Sequence, residues 1–140
     1  MDSNPIGLGD VVVYGSITGK KPPIHVQLPY HGAAEGVVDI DYQVMNNMVF
    51  LFIRQFSFVV GTKTNLEIQL PNDCLLSTST NSVSWAHTHT CNGTAANGVN
   101  RLNISTGLIT IYAGPYFEVN YFPVGSSYVM YDQLVWYLLV

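Results

Sequence analysis

Charge is what this chain has least of. Of its 140 residues, 10% are Asp, Glu, Lys or Arg, against roughly 25% in an ordinary soluble domain. Only Lys20, Lys21, Lys63, Arg54 and Arg101 are basic, and the formal net charge is −4. No stripe exists that would neutralise several phosphates, so nucleic acid is excluded as a partner. Two cysteines, Cys74 and Cys91, are too few for a disulfide framework and lack CxxC spacing. They read first as buried thiols and second as a single bridge. The longest apolar runs, around Met48 to Ile53 and Leu134 to Val140, fall short of the roughly 20 residues that cross a bilayer, and no membrane insertion is expected. The opening residues have neither the basic nor the apolar region of a signal peptide, and none is expected. GxGxxG, GxxxxGK[ST] and GxSxG are all missing, which removes nucleotide chemistry and the hydrolase elbow. No cofactor and no catalytic residue are expected.

What is there is apolar: 48% of the chain is hydrophobic. Weak repulsion between copies suits self-association or a crowded assembly. Period-two alternation and β-branched or aromatic clusters recur about every ten residues between turn signals, the pattern of an all-β sandwich or barrel in one domain, residues 1–140. Strands are expected at Asp10 to Ile17, Ile24 to Leu28, Val37 to Val44, Met48 to Phe58, Asn65 to Leu70, Ser82 to Thr90, Arg101 to Ser105, Leu108 to Ala113, Tyr116 to Phe122 and Tyr128 to Val140. Thr106-Gly107 between residues 101 and 112 reads as a tight hairpin turn, and Asn46-Asn47, Asn92-Gly93 and Asn97-Gly98 as further punctuation.

Two segments are apolar on both faces. Along Tyr128 to Val140, Leu134, Trp136 and Leu138 alternate with Tyr131, Val135 and Tyr137. Along Met48 to Phe58, Val49, Leu51 and Ile53 alternate with Phe50 and Phe52. A strand buried on one face only should alternate with polar residues, so each needs a second apolar environment. The two are expected to be neighbours in one sheet, with Leu134, Trp136 and Leu138 in the core. Phe50, Phe52, Arg54, Tyr131, Val135 and Tyr137 are expected to meet another copy, with Arg54 a rim residue or paired across the contact to an acid such as Asp132.

An apolar strand, then Leu70-Pro71, a polar stretch, Leu102-Asn103-Ile104-Ser105-Thr106-Gly107-Leu108-Ile109-Thr110-Ile111 and a hydrophobic terminal strand follow one another in the chain. Over residues 36–140 this order resembles the C1q and tumour-necrosis-factor type jelly-roll heads of viral and phage fibres, spikes and capsid-associated proteins. The resemblance implies a jelly roll of about ten strands, a homotrimer with the last strand near its axis, and a place in the virion, as a structural subunit beside other capsid or spike proteins or as a head binding host-surface glycan or protein. The absence of a long shaft favours a small capsid-associated subunit. The loops Pro71 to Thr80 and Cys91 to Asn100, with Asn72, Asp73, Asn92, Asn97 and nearby Trp85, are the candidate ligand-binding residues.

His87-Thr88-His89-Thr90-Cys91 places two imidazoles and a thiol on one strand face, a credible metal set. Strand alternation alone produces the same juxtaposition, and a polar strand is the plainer reading. A cupin-like metal enzyme would need an acidic ligand soon after His89, and the next acid is Glu118. Asp39 and Asp41, with Glu35 nearby, share a face that suits Ca²⁺ or, more simply, solvent. Asn92-Gly93-Thr94 and Asn103-Ile104-Ser105 match the N-glycosylation pattern, which matters only on a secretory route.

Overall fold

The computed structural model describes residues 22–115 and 121–140. Alternating inward apolar and outward side chains form ten strands: β1 (Ile24–Gly32), β2 (Gly36–Met45), β3 (Met48–Ile53), β4 (Phe56–Val59), β5 (Leu66–Gln69), β6 (Ser82–Cys91), β7 (Thr94–Asn103), β8 (Leu108–Tyr112), β9 (Ser127–Met130) and β10 (Gln133–Leu138). One 3-10 turn, Asn72–Cys74, follows β5. The expected strand Asp10 to Ile17 and residues 116–120 of another lie outside the described residues.

All ten strands are antiparallel neighbours in one curled sheet, in the order β10-β3-β2-β1-β5-β8-β7-β6-β9-β4. The ends of that order are joined by the chain itself. Gln133 to Leu138 pair with Ile53 to Met48, and Ser127 to Met130 pair with Val59 to Phe56. Both ladders keep the same register, so residues 48–59 and 127–138 make one ribbon, interrupted at Arg54-Gln55 and Tyr131-Asp132. There the backbone turns outward: Gln55 N–H donates to the Asp132 carboxylate at 2.7 Å, and Arg54 N–H to the Asp39 carbonyl at 3.0 Å. The expected single strands Met48 to Phe58 and Tyr128 to Val140 are therefore each bent into two. The bend carries the ribbon from β3 on one side of the sheet to β6 on the other, and the sheet curls back toward itself.

Inside lies a continuous apolar core, with Ile40, Val49, Leu51, Ile53, Leu66, Ile68, Leu102, Ile109 and Ile111 fully buried. Its β4–β9 end is aromatic. Phe58 stacks on Tyr128 with centroids 5.4 Å apart, and Phe122 meets Tyr128 edge-on at 4.8 Å. The hairpin expected around Thr106-Gly107 is present, with Leu102 opposite Ile109 and Gly107 at φ 71°. Asn46 and Asn92 take the positive φ of the other two tight turns. Asn97-Gly98 is not a turn; both residues lie within β7. Cys74 and Cys91 are free thiols.

The face assignment of the last strand is reversed. β10 must share its inward face with Val49, Leu51 and Ile53, and their partners are Tyr137, Val135 and Gln133. Tyr137 is 2% exposed, and its hydroxyl donates to the Cys74 carbonyl at 2.6 Å. That buried acceptor makes room for a phenol inside. Tyr137 therefore belongs to the core and not to an intersubunit contact, and Val135 packs against the core from a half-buried position. Leu134, Trp136 and Leu138 point outward, 77%, 58% and 39% exposed.

Candidate functional site

Three aligned rows cross the outward face of β2, β3 and β10. Met45, Met48 and Leu138 form one, Gln43, Phe50 and Trp136 the next, and Asp41, Phe52 and Leu134 the third. Phe50 and Phe52 lie on this outward face, and its β10 half is the Leu134–Trp136–Leu138 set. A hollow of about 120 Å³ opens on it, lined by Phe50, Phe52, Leu134, Asp41, Gln43 and Pro23.

The rim beside Asp41 is polar. His25 Nδ1 lies 2.6 Å and Arg54 Nη2 2.5 Å from the two Asp41 oxygens, and His25 Nε2 lies 3.2 Å from Asp39. The His25 contact, then the Arg54 contact, holds the Asp41 carboxyl below its ordinary range. Arg54 also lies over the Phe52 ring, 5.3 Å from its centroid. Its partner is Asp41 and not Asp132, which is occupied by the Gln55 amide. Asp39 meets His25, and Asp41 meets His25 and Arg54, at short range. Among the described residues, no group of three His, Cys, Asp or Glu side chains converges on a common point. Tyr131 sits at the ribbon bend, exposed. An apolar centre with a charged rim is the anatomy of a protein contact.

Behind β10 lies the second feature. His87 and His89 are 3% and 1% exposed, with His87 Nε2 3.1 Å from His89 Nδ1. One end of the Asn100 amide is 2.7 Å from His87 Nδ1, and the other is 2.6 Å from Gln133 Oε1. Trp85 Nε1–H donates to the same Gln133 oxygen at 2.8 Å. Five polar side chains on β6, β7 and β10 thus form one buried chain. Trp85, one of the candidate ligand-binding residues, spends its polar edge here. The His pair was legible from its spacing. Asn100 and Gln133 were missed because only the fold brings them to it.

Burial, and then the neighbouring His89, push His87 from 6.5 down to about 4; burial also lowers His89. Unfolded, His87 takes a proton below its ordinary value; folded, it stays neutral until about 4. Its stabilisation is therefore complete above pH 6.5 and is lost as pH falls toward 4, by about 3 kcal/mol. Urea unfolding across that window should show the midpoint fall with acid, and a His87→Gln chain that folds should show a smaller fall. A midpoint independent of pH would contradict this.

The two expected ligand loops do not converge. Leu76 and Asn81 are bonded to Ile104, beside the start of β6, whereas Asn92 sits at the tip of the β6–β7 hairpin. Ten strand residues separate them, roughly 30 Å. Asn72 is exposed. Asp73 accepts from the Tyr42 hydroxyl at 3.1 Å; burial and then that contact push the phenol up to about 12. Asn92 Oδ1 accepts from Ser127 N–H at 2.9 Å, tying the tip to β9. Asn97 is a strand residue facing Thr88, not a loop residue.

No protein-family model matches the chain, and no curated protein matches it. Its class is defined by the fold: an all-β domain whose described residues form ten antiparallel strands in one curled sheet. Among solved structures, the reovirus attachment protein sigma1, determined in complex with alpha-2,3-sialyllactose, is similar at a TM-score of 0.55 and 14% identity. The match covers 86% of this chain and 67% of that chain. At that identity the likeness is one of fold. The resemblance to viral heads thus meets a viral attachment protein at the level of fold, while kinship with C1q and tumour-necrosis-factor heads rests on the short motifs alone. Among the described residues no helix is long and apolar enough to cross a membrane.

Proposed function

We propose that this chain is a non-enzymatic subunit of a virus surface, assembling as a homotrimer through the outward face of β3 and β10. The observation that carries the reading is the double row of Phe50, Phe52, Leu134 and Trp136 facing out of the barrel. Exposing such a patch on a free monomer is costly, and covering it against a second copy recovers that energy. A charged content of 10% supports the same reading. The threefold number and the place in the capsid or spike come from the resemblance to viral heads. Light scattering of the purified chain at micromolar concentration should return three times the 15.4 kDa chain mass; a monomer mass overturns the proposal.

A second role, attachment to host-surface glycan, is favoured by the neighbour whose structure contains sialyllactose. The Asn92 hairpin tip is the candidate surface, separate from the assembly face. Binding to immobilised sialylated glycans that is lost on changing Asn92 and Thr94 supports it. Absence of binding to a broad glycan panel removes it and leaves the assembly reading standing.

A further inference from the structure

The buried polar chain that begins at His89 ends on the strand that carries the outward face. Among the described residues β10 pairs with β3 alone. Besides that ladder it is held inward by the Tyr137 hydroxyl on Cys74 and by Gln133, buried at the strand's first position. Gln133 is held in turn through Asn100 by His87.

With one proton per imidazole, each short contact in this chain has one donor and one acceptor. A second proton on each ring sets N–H against N–H across the 3.1 Å His87–His89 contact. Among the described residues, the elements packed around the pair offer no charge to neutralise the result. β9 presents Tyr128, 5.1 Å from the His89 ring, and Met130 opposite it. β6 adds Cys91, β7 adds Gly98, and β8 adds the Tyr112 carbonyl behind Gly98. Among the described residues neither imidazole has an ion-pair partner, unlike His25 and His31. Each cation gains its solvation only when the barrel opens at this point.

We propose that His87 and His89 form an acid-operated latch on β10: protonation of the pair drives the two rings apart, displaces Asn100 and Gln133 along with His87, and frees the strand. Loss of intersubunit contact at mildly acidic pH then follows, a consequence that rests on the assembly proposed above. The latch is intrinsic to one chain, because every group in it belongs to the same barrel.

Hydrogen exchange of the full chain tests it, read at about pH 7.5 and about pH 5 and corrected for the intrinsic pH dependence of exchange. With His87 pushed down to about 4, opening of β10 should become about thirtyfold more frequent at the lower pH. Amides of Leu134 to Leu138 should report it while those of β2 change far less. The step should shrink at least severalfold in His87→Gln. Equal protection of β10 at both pH values overturns the latch, as does an undiminished step in the variant. If the variant does not fold, the wild-type imidazole resonances decide instead. Rings that stay neutral until β10 amides open support the latch, and rings that titrate near the ordinary value with β10 closed overturn it. A monomer mass at neutral pH removes the consequence for assembly, while exchange at β10 still decides the latch.

Discussion

Replacing Gly98 with alanine should abolish folding or cost more than about 4 kcal/mol, the upper range for a single substitution. A Cβ built at Gly98 would overlap the Tyr112 carbonyl oxygen and sit 2.5 Å from His87 Nε2. The first obstacle is backbone of the adjacent strand β8 and cannot swing away. The second is a ring fixed by Asn100 on one side and His89 on the other. Glycine is required here for space, directly opposite the buried imidazole in the β6–β7 ladder. Circular dichroism and urea unfolding of Gly98→Ala read the effect. A variant with the wild-type midpoint would mean that His87 is not packed against β7 as described.

The second large effect is on assembly without loss of fold. Leu134→Lys with Trp136→Lys should raise the dissociation constant at least about 100-fold, equivalent to about 2.7 kcal/mol. Thermal stability of the isolated chain should change little. Both residues are exposed on the outer face of an edge strand, so lysines there meet water in the free chain and an apolar neighbour only in the assembly. Size-exclusion chromatography across a dilution series, with the melting temperature measured in parallel, separates the two effects. A variant that assembles as tightly as the wild type would place the contact elsewhere.

Much of the fold was legible because period-two alternation survives in short strands. Leu102, Ile104 and Gly107 define a hairpin without reference to the rest of the chain. That Met48 to Ile53 and the terminal strand are neighbours followed from their shared excess of apolar residues. Which face of the terminal strand turns inward was not legible, because both faces are apolar and hydrophobicity ranks Trp136 and Leu134 above Tyr137. The deciding fact is the Cys74 carbonyl, 63 residues away in sequence, that satisfies the Tyr137 hydroxyl. The bends at Arg54 and Tyr131 were equally hidden: they arise because one ribbon must serve two sides of a curled sheet.

The candidate site divides in the same way. His87 and His89 announced themselves by spacing, and the metal chemistry that spacing suggests is one of two readings. Burial and mutual contact give them a different setting, a neutral pair locked into a polar chain. Asn97-Gly98 read as a turn because the dipeptide is a strong local signal. Pairing with His87 and Thr88 overrides it. Arg54, read as a rim residue or as paired across a contact to an acid such as Asp132, pairs within the chain with Asp41 on β2, which stands opposite Phe52.

Hydroxyl-radical footprinting of the wild-type chain as a function of concentration tests the assembly face most directly. Tyr121 and Val124 are exposed apolar residues in the segment before β9, away from β10, and serve as internal controls. On concentrating the chain, oxidation of Trp136, Leu134 and Phe50 should fall severalfold while that of Tyr121 and Val124 holds steady. Oxidation of Trp136 that is unchanged by concentration, or protection at Tyr121 and Val124 in its place, would contradict assembly through β3 and β10.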